Sequence, residues 1–380
     1  MIRTKVRLSI ADQPVRRRQR SGRGDQLEST TVNKSADEGA RIRGWIGVCA
    51  ALLALMLPLV TAQAPFVDAA ERSVQLPSRV TRVFAAGAPA EVLLYTLVPE
   101  MLVGRNRVPD GEAVEFFPPQ YRNPIFIKQL PEVDNPSADA ELVALKPDVY
   151  VDYGTVQDDY IASVEAVQRR TRVPGIILDG ALTLIPDTYR RLGAALGVAD
   201  RGERLAATAN RIMTKYRNVL ASASAVPRVY LACSADGFMP CLEDDSAGEP
   251  LKWLGAVNVA GTRATAPRRP RTIDELDALA PDAIVLTGGG GSAARLRANP
   301  VWQSLEAVAA GRVFQYPALP YGWGPRPPSV NRLPGVIWLS YVLRGRSFDA
   351  EFDADIRVFF RDFYHLELTD QQLRQLVAAR

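Results

Sequence analysis

Residues 141–154 read ELVALKPDVYVDYG, and residues 275–288 read ELDALAPDAIVLTG. Aligned without gaps, they agree at eight of fourteen positions: Glu, Leu, Ala, Leu, Pro, Asp, Val and Gly. Both follow the same order: a short helix stopped by proline, a buried strand, then a closing glycine. A helix–strand unit that returns later in a chain implies two similar α/β halves.

Between the copies, Asp200–Ser222 reads as one long helix. Leu205, Ala209, Ile212, Met213, Tyr216, Val219 and Leu220 recur at steps of three and four, and charges fill the other faces. Asp200 is the expected N-cap, and Gly197 closes the preceding helix. A helix of that length spans roughly 35 Å, about the width of a small domain.

Strands and helices alternate on either side. In the first half, strands are expected at Arg82–Gly87, Met101–Gly104, Val149–Tyr153 and Val173–Leu178. In the second half they are expected at Arg228–Ala232, Ala283–Thr287 and Val313–Tyr316. Ser329 is the expected N-cap of a helix running to Leu343, and two amphipathic helices end the chain. The fold class is therefore α/β: two Rossmann-like lobes with parallel sheets, joined by a single long backbone helix, with a ligand cleft between them. The divisions expected are 1–70 for a basic N-terminus and secretory signal, 71–199 and 223–345 for the lobes, 200–222 for the bridging helix and 346–380 for the terminal helices. Ligands of such sheets bind beyond the C-terminal strand ends. Those ends are Ala86-Gly87-Ala88, Arg105–Arg107 and Tyr153-Gly154-Thr155 in the first lobe.

A chain of 380 residues with 47% hydrophobic content can build two ordinary cores. The formal charge of +4 is misleading. Residues 1–69 hold 11 of the 46 Lys and Arg and 6 of the 42 Asp and Glu, which leaves 35 and 36 for the remainder. The remainder is near neutral, so no nucleic-acid footprint is indicated. One histidine and three cysteines rule out a His-rich or Cys-rich metal site.

Residues 1–40 are polar and basic and read as disordered. Arg41 and Arg43 precede an uncharged run, Gly44–Val60, followed by an alanine-rich stretch. That is the order of a secretory signal, with cleavage after Ala69 or Ala70 favoured over Ala64, which Pro65 follows. The run is also just long enough for an uncleaved anchor. Cys49 opens the run and follows Val48, which does not fit a lipoprotein cysteine.

Beyond the repeat, Gly255-Ala256-Val257-Asn258-Val259 and Arg326-Pro327-Pro328-Ser329-Val330-Asn331-Arg332 stand out. With the leader, the paired Leu-x-Pro-Asp units and the bridging helix, they make residues of about 80–380 resemble the periplasmic substrate-binding proteins of iron-siderophore and vitamin B12 ABC importers. The resemblance implies lobes that move little on binding, cargo held between them, and a carboxylate on each lobe docking onto permease arginines. Glu249, placed before Leu251 and Gly255, matches the second-lobe carboxylate. In the first lobe Asp139 and Glu141 flank the family position, and Glu141 is taken here. Pro334 departs from the family, which carries an aliphatic residue there; proline implies a helix that kinks or begins later.

Arg105, Arg107 and Arg326 fall in expected cleft loops, where planar guanidinium groups suit carboxylate or oxyanion capture. Tyr153, Tyr321 and Trp323 suit stacking on a flat chelator; packing between lobes is the competing role. Gly288–Gly291 lacks the Lys-Ser/Thr pair of a phosphate loop. Cys233 and Cys241 share one loop of an exported chain and are expected to form a disulfide. His365 has no partner pattern for a ligand, and nothing supports nucleophilic catalysis. The expectation is a periplasmic monomer that performs no chemistry, needs no cofactor and carries a metal chelate, foremost a ferric siderophore, to an ABC permease and its ATPase. Corrinoid, haem or a molybdate-type oxyanion are the alternative cargoes, and a membrane-tethered sensor the alternative class.

Overall fold

In this computed structural model the described residues are 65–104, 111–122, 136–222, 225–287 and 292–378. Arg105, Arg107, Gly288–Gly291 and the apolar run Gly44–Val60 lie outside them. The first described elements are a two-stranded antiparallel ribbon, β1 (Phe66–Val67) with β2 (Ser73–Val74). The first parallel sheet has the order β3 (Val83–Ala85), β4 (Val149–Gly154), β5 (Gly175–Asp179). The second has the order β7 (Val257–Asn258), β6 (Arg228–Ala232), β8 (Ala283–Leu286), β9 (Val313–Gln315), also parallel.

The helices that matter for the site are α1 (Ala88–Leu97), α2 (Pro136–Ala144), α3 (Asp158–Thr171), α4 (Ile185–Ala195), the bridging helix α5 (Ala199–Tyr216) and α6 (Glu249–Leu254). After the second copy of the repeat helix, α7 (Ile273–Ala278), and two short helices, α8 (Ser292–Ala298) and α9 (Glu306–Ala309), come α10 (Arg332–Val342), α11 (Ala350–Tyr364) and α12 (Asp370–Val377).

The two copies of the repeat share their main structural bonds. Lys146 and Ala280 hold the same place in the two copies and both have positive φ, +48° and +43°. Asp148 accepts backbone N–H bonds from Thr81 and Arg82 (2.7 and 2.9 Å), and Asp282 accepts one from Arg228 (2.8 Å). In return, the Arg82 side chain donates to the carbonyls of Leu145 and Lys146 (2.6 and 3.0 Å). Arg228 does the same to Leu279 and Ala280 (2.9 and 3.3 Å). An arginine at one strand start thus satisfies the orphan carbonyls of the helix that leads into its neighbour.

Strand alternation sorts the core. Val83, Val149, Val151, Ile176, Val229, Leu231 and Val285 point into one apolar cluster that runs through both halves. Phe84, Tyr150 and Ile177 face a satellite outside the first sheet, and Tyr230, Ile284 and Leu286 one outside the second. The inner faces are joined because α4, α5, α10 and α11 bury their apolar sides in the same cluster. Where α4 and α5 meet, a Cβ on Gly202 would stand 2.4 Å from the Tyr189 carbonyl oxygen, so only glycine permits that approach.

Several boundaries differ from expectation. The bridging helix begins one residue before Asp200 and ends at Tyr216. The chain then turns so that the Asn218 and Leu220 amides donate to the Trp253 and Leu254 carbonyls at the end of α6 (3.0 and 2.9 Å), and those bonds replace further helix. Met101–Gly104 makes no strand: a 3-10 turn fills Pro99–Met101, and Leu102 forms only an isolated bridge to Val83. Asn331, not Ser329, is the N-cap of α10. Pro334 falls in the first turn of that helix, where its missing N–H is no loss.

Burial acts against ionisation of Asp148, but the bonds from Thr81 and Arg82 outweigh it and hold its pKa below the usual value. Its contribution to stability is therefore present above the ordinary carboxylate pKa of about 3.9 and is lost as pH falls through the depressed folded value. Asp148→Asn should lower the urea midpoint at pH 7, and the gap to wild type should close on acidification below about pH 3 to 4. A gap equal at pH 7 and pH 3 would rule out this role.

Candidate functional site

The two sheets meet at a seam built around one buried cation. Arg332, the first residue of α10, is fully buried. Its Nε donates to the Ser329 carbonyl (3.1 Å), Nη2 to the Gly180 carbonyl just past β5, and Nη1 to Glu249 Oε2 on α6. Glu249 Oε2 also accepts from the Leu182 amide (2.9 Å). One ion pair thus ties the exit of the first sheet to a helix of the second half. A guanidinium in this position is stable only because its charge is paired and its donors are used.

Other seam contacts follow the same pattern. Ser329 Oγ donates to the Pro89 carbonyl (2.9 Å), and Tyr321 donates its hydroxyl to Glu91 Oε1 (2.8 Å), both at the start of α1. Ser329 is therefore spent on joining the halves rather than on capping α10. The loop 317–328 lies tightly on that helix: a Cβ on Gly335 would meet the Trp323 carbonyl oxygen at 1.8 Å, so no larger residue fits.

The expected site residues separate by environment. Tyr153, at the end of β4, is buried beside Arg332, and its hydroxyl makes no hydrogen bond of good geometry among the described residues. Burial pushes its phenol up to about 12, and the Arg332 guanidinium limits the rise. The Tyr316 hydroxyl is also buried without a partner among the described residues, and burial raises its pKa despite the same cation. Tyr321 and Trp323 are buried at the seam, not laid open for stacking. Trp323 donates Nε1 to the Leu319 carbonyl (2.8 Å), and its ring lies 6.4 Å from that of Phe360. Their surroundings are those of packing, the competing role, because α10 and α11 cover the loop that carries them.

Arg326 differs. It is exposed, and its Nη2 donates to the Cys233 carbonyl (3.0 Å) directly after β6. Cys233 is bonded to Cys241 with Cα atoms 5.1 Å apart, which pins the loop beyond that strand. Glu141 is exposed on α2 and has no ion pair among the described residues, whereas Asp139 is paired with Arg170. His365 lies away from the seam, at the end of α11 against the Tyr95 ring, and burial lowers its pKa. Among the described residues no group of three His, Cys, Asp or Glu could hold a metal ion. Arg332 was legible only as part of a motif, and its partners on the other elements, Glu249 and Gly180, could not be inferred because they lie 83 and 152 residues away in sequence.

A family model described as periplasmic binding protein matches residues 93–319. The chain belongs to the periplasmic binding protein family. Its members are extracytoplasmic substrate-binding components of ABC importers, which work with a permease and its ATPase. No curated protein matches the chain significantly. An ABC transporter solute binding protein from Sulfurospirillum deleyianum superposes with a TM-score of 0.73 at 19% identity, over 83% of this chain and 99% of that one. The molybdate periplasmic binding protein MolA of Haemophilus influenzae gives 0.62 at 17% identity, over 80% and 99%. The vitamin B12 binding protein BtuF of Vibrio cholerae gives 0.50 at 18%, over 70% and 98%. At such identities the likeness concerns the fold. No helix among the described residues of this periplasmic binding protein is long and apolar enough to cross a membrane.

Glu249→Ala would strand the Arg332 charge in the seam. It should cost about 3–5 kcal/mol in urea denaturation, and Glu249→Gln with Arg332→Met should cost less than that single change. A Glu249→Ala loss within about 0.5 kcal/mol would show that the pair does not hold the seam.

Proposed function

We propose that this periplasmic binding protein captures a metal chelate, foremost a ferric siderophore, beyond the C-terminal ends of its two sheets and delivers it to an ABC permease without chemical change. The observation that carries this reading is Arg326. Its guanidinium is exposed at the exit of the second sheet and is steadied by the Cys233 carbonyl, in a loop pinned by a disulfide. A fixed planar cation suits the carboxylate, catecholate or hydroxamate oxygens of a chelator. A bare transition-metal ion would want imidazole or thiolate ligands. The chain has one histidine, placed elsewhere, and two of its three cysteines are bonded to each other.

Arg105 and Arg107, which follow the Leu102 bridge to Val83 in sequence, would add to the capture surface, with Tyr153, Tyr321 and Trp323 shaping it from beneath. Glu141 and Glu249 are proposed as the docking carboxylates, one on each half. The protein would work as a monomer in the periplasm after export on its N-terminal signal. An uncleaved Gly44–Val60 in the exported chain, read by N-terminal sequencing, would favour a tethered sensor instead.

A thermal-shift panel of ferric siderophores, haem, cobalamin and molybdate tests the cargo. At least one ferric chelate should raise the melting temperature, and Arg326→Ala should weaken its binding about tenfold or more, as for loss of a charged hydrogen bond. Stabilisation by haem, cobalamin or molybdate alone would move the cargo to that class, and by a sugar or peptide alone would refute a metal chelate.

A further inference from the structure

The ribbon that opens the described chain is built into the first sheet. Asp68, in the turn between β1 and β2, is 3% exposed and serves as a hub. Its Oδ1 accepts from the Ala70 and Arg72 amides (both 3.0 Å). Its Oδ2 accepts from Arg72 Nη2 (2.6 Å) and from the Ile177 amide on β5 (3.2 Å). Ala69 donates its amide to the Ile177 carbonyl (2.9 Å), and Arg72 Nη2 also reaches the Gly175 carbonyl (2.9 Å). The ribbon thus covers β5, an edge strand of the first sheet. Phe66 packs on the large core, and Ala69 and Ala70 pack on the satellite outside that sheet.

These contacts bear on where a leader is cut. A peptidase acts on the emerging chain before it folds, so burial itself protects no bond. What counts is the chain left to fold. A cut after Ala69 or Ala70, the place expected from the sequence, removes Phe66, Val67 and Asp68. Arg72 then has no counter-charge, the buried Ile177 amide loses its acceptor, and an edge of the sheet lies open. The mature chain therefore has to begin upstream of Phe66. Ala64 is followed by Pro65, which peptidases tolerate poorly. Ala62 meets the need: it is small, the uncharged Val60 stands two places before it, and Pro58 is a helix stop late in the apolar run.

We infer that the leader is removed by hydrolysis of the Ala62–Gln63 bond, so that the mature chain begins at Gln63 and keeps the whole ribbon. Water is the co-reactant: the C–N bond breaks, the Ala62 carbonyl carbon takes the hydroxyl, and Gln63 leaves as the amine. This rests on the proposed export of the chain and states what the exported form contains. A new N-terminal glutamine can cyclise, its amine displacing ammonia from its own carboxamide. The start is therefore read by mass rather than by stepwise degradation.

The test is peptide and intact-mass spectrometry of the full precursor, expressed in its source cells and recovered from the extracytoplasmic fraction. The first peptide should start at Gln63, with or without loss of one ammonia. Ala62→Leu should leave most of the exported chain with its leader attached, whereas Ala69→Leu should leave the start at Gln63. The ribbon's part in folding is read separately: Asp68→Ala should lower the melting temperature of the exported chain by about 4 °C or more. An unchanged melting temperature would overturn the structural basis of the assignment. An exported chain that starts at Pro65, Ala70 or Glu71, or that keeps its leader, would overturn the cut at Ala62 while leaving export intact. A chain held in the cytoplasm would refute the export reading and this inference with it.

Discussion

A charge with no exposure must find its partners inside the protein, and for Arg332 those partners come from both halves of the molecule. This constraint organises the seam. Gly180 and Leu182 offer backbone groups from the first sheet's exit, Glu249 offers the counter-charge from the second half, and Ser329 closes the remaining side. Removing any of these leaves a buried polar group unsatisfied, which costs more than the bond itself contributes. The pair therefore specifies one relative placement of the halves, a task that apolar contacts, being non-directional, perform poorly.

The shared core works with this node. Both sheets turn one face to the same apolar cluster, with the bridging helix and three others between them. Halves joined this way cannot swing apart without exposing a large apolar surface, at about 25 cal/mol per Å². At the seam that packing is joined by a few directional polar bonds, Arg332 to Glu249, Ser329 to Pro89 and Tyr321 to Glu91, which set its register. Such a molecule is suited to holding cargo in a nearly fixed crevice and answering to a partner through modest changes.

Much of this was legible in the sequence because it is local. The repeated helix–strand unit shows which segments alternate, and its proline and aspartate have the same structural duty in both copies. The amphipathic face of the bridging helix is buried as its spacing implies, at Leu205, Ala209, Ile212, Met213 and Tyr216. What was not legible depends on distant partners. The helix stops at Tyr216 because Asn218 and Leu220 find carbonyls on α6. Ser329 looked like an N-cap, yet it bonds Pro89 across the seam, 240 residues away. Tyr321 and Trp323 carry the composition of a stacking surface, but two helices cover them. Arg332 stood within a recognisable motif, and only the fold reveals its partners.

The central claim is that cargo is gripped by both halves at their strand exits. Hydrogen exchange on the mature chain, with and without whichever metal chelate stabilises it most, tests this directly. Added protection should appear together in peptides spanning Tyr153–Val156, Cys233–Asp236 and Pro325–Ser329. Protection confined to one half, or centred instead on the separate cavity of about 590 Å³ lined by Pro99, Tyr121, Arg201 and His365, would contradict the account.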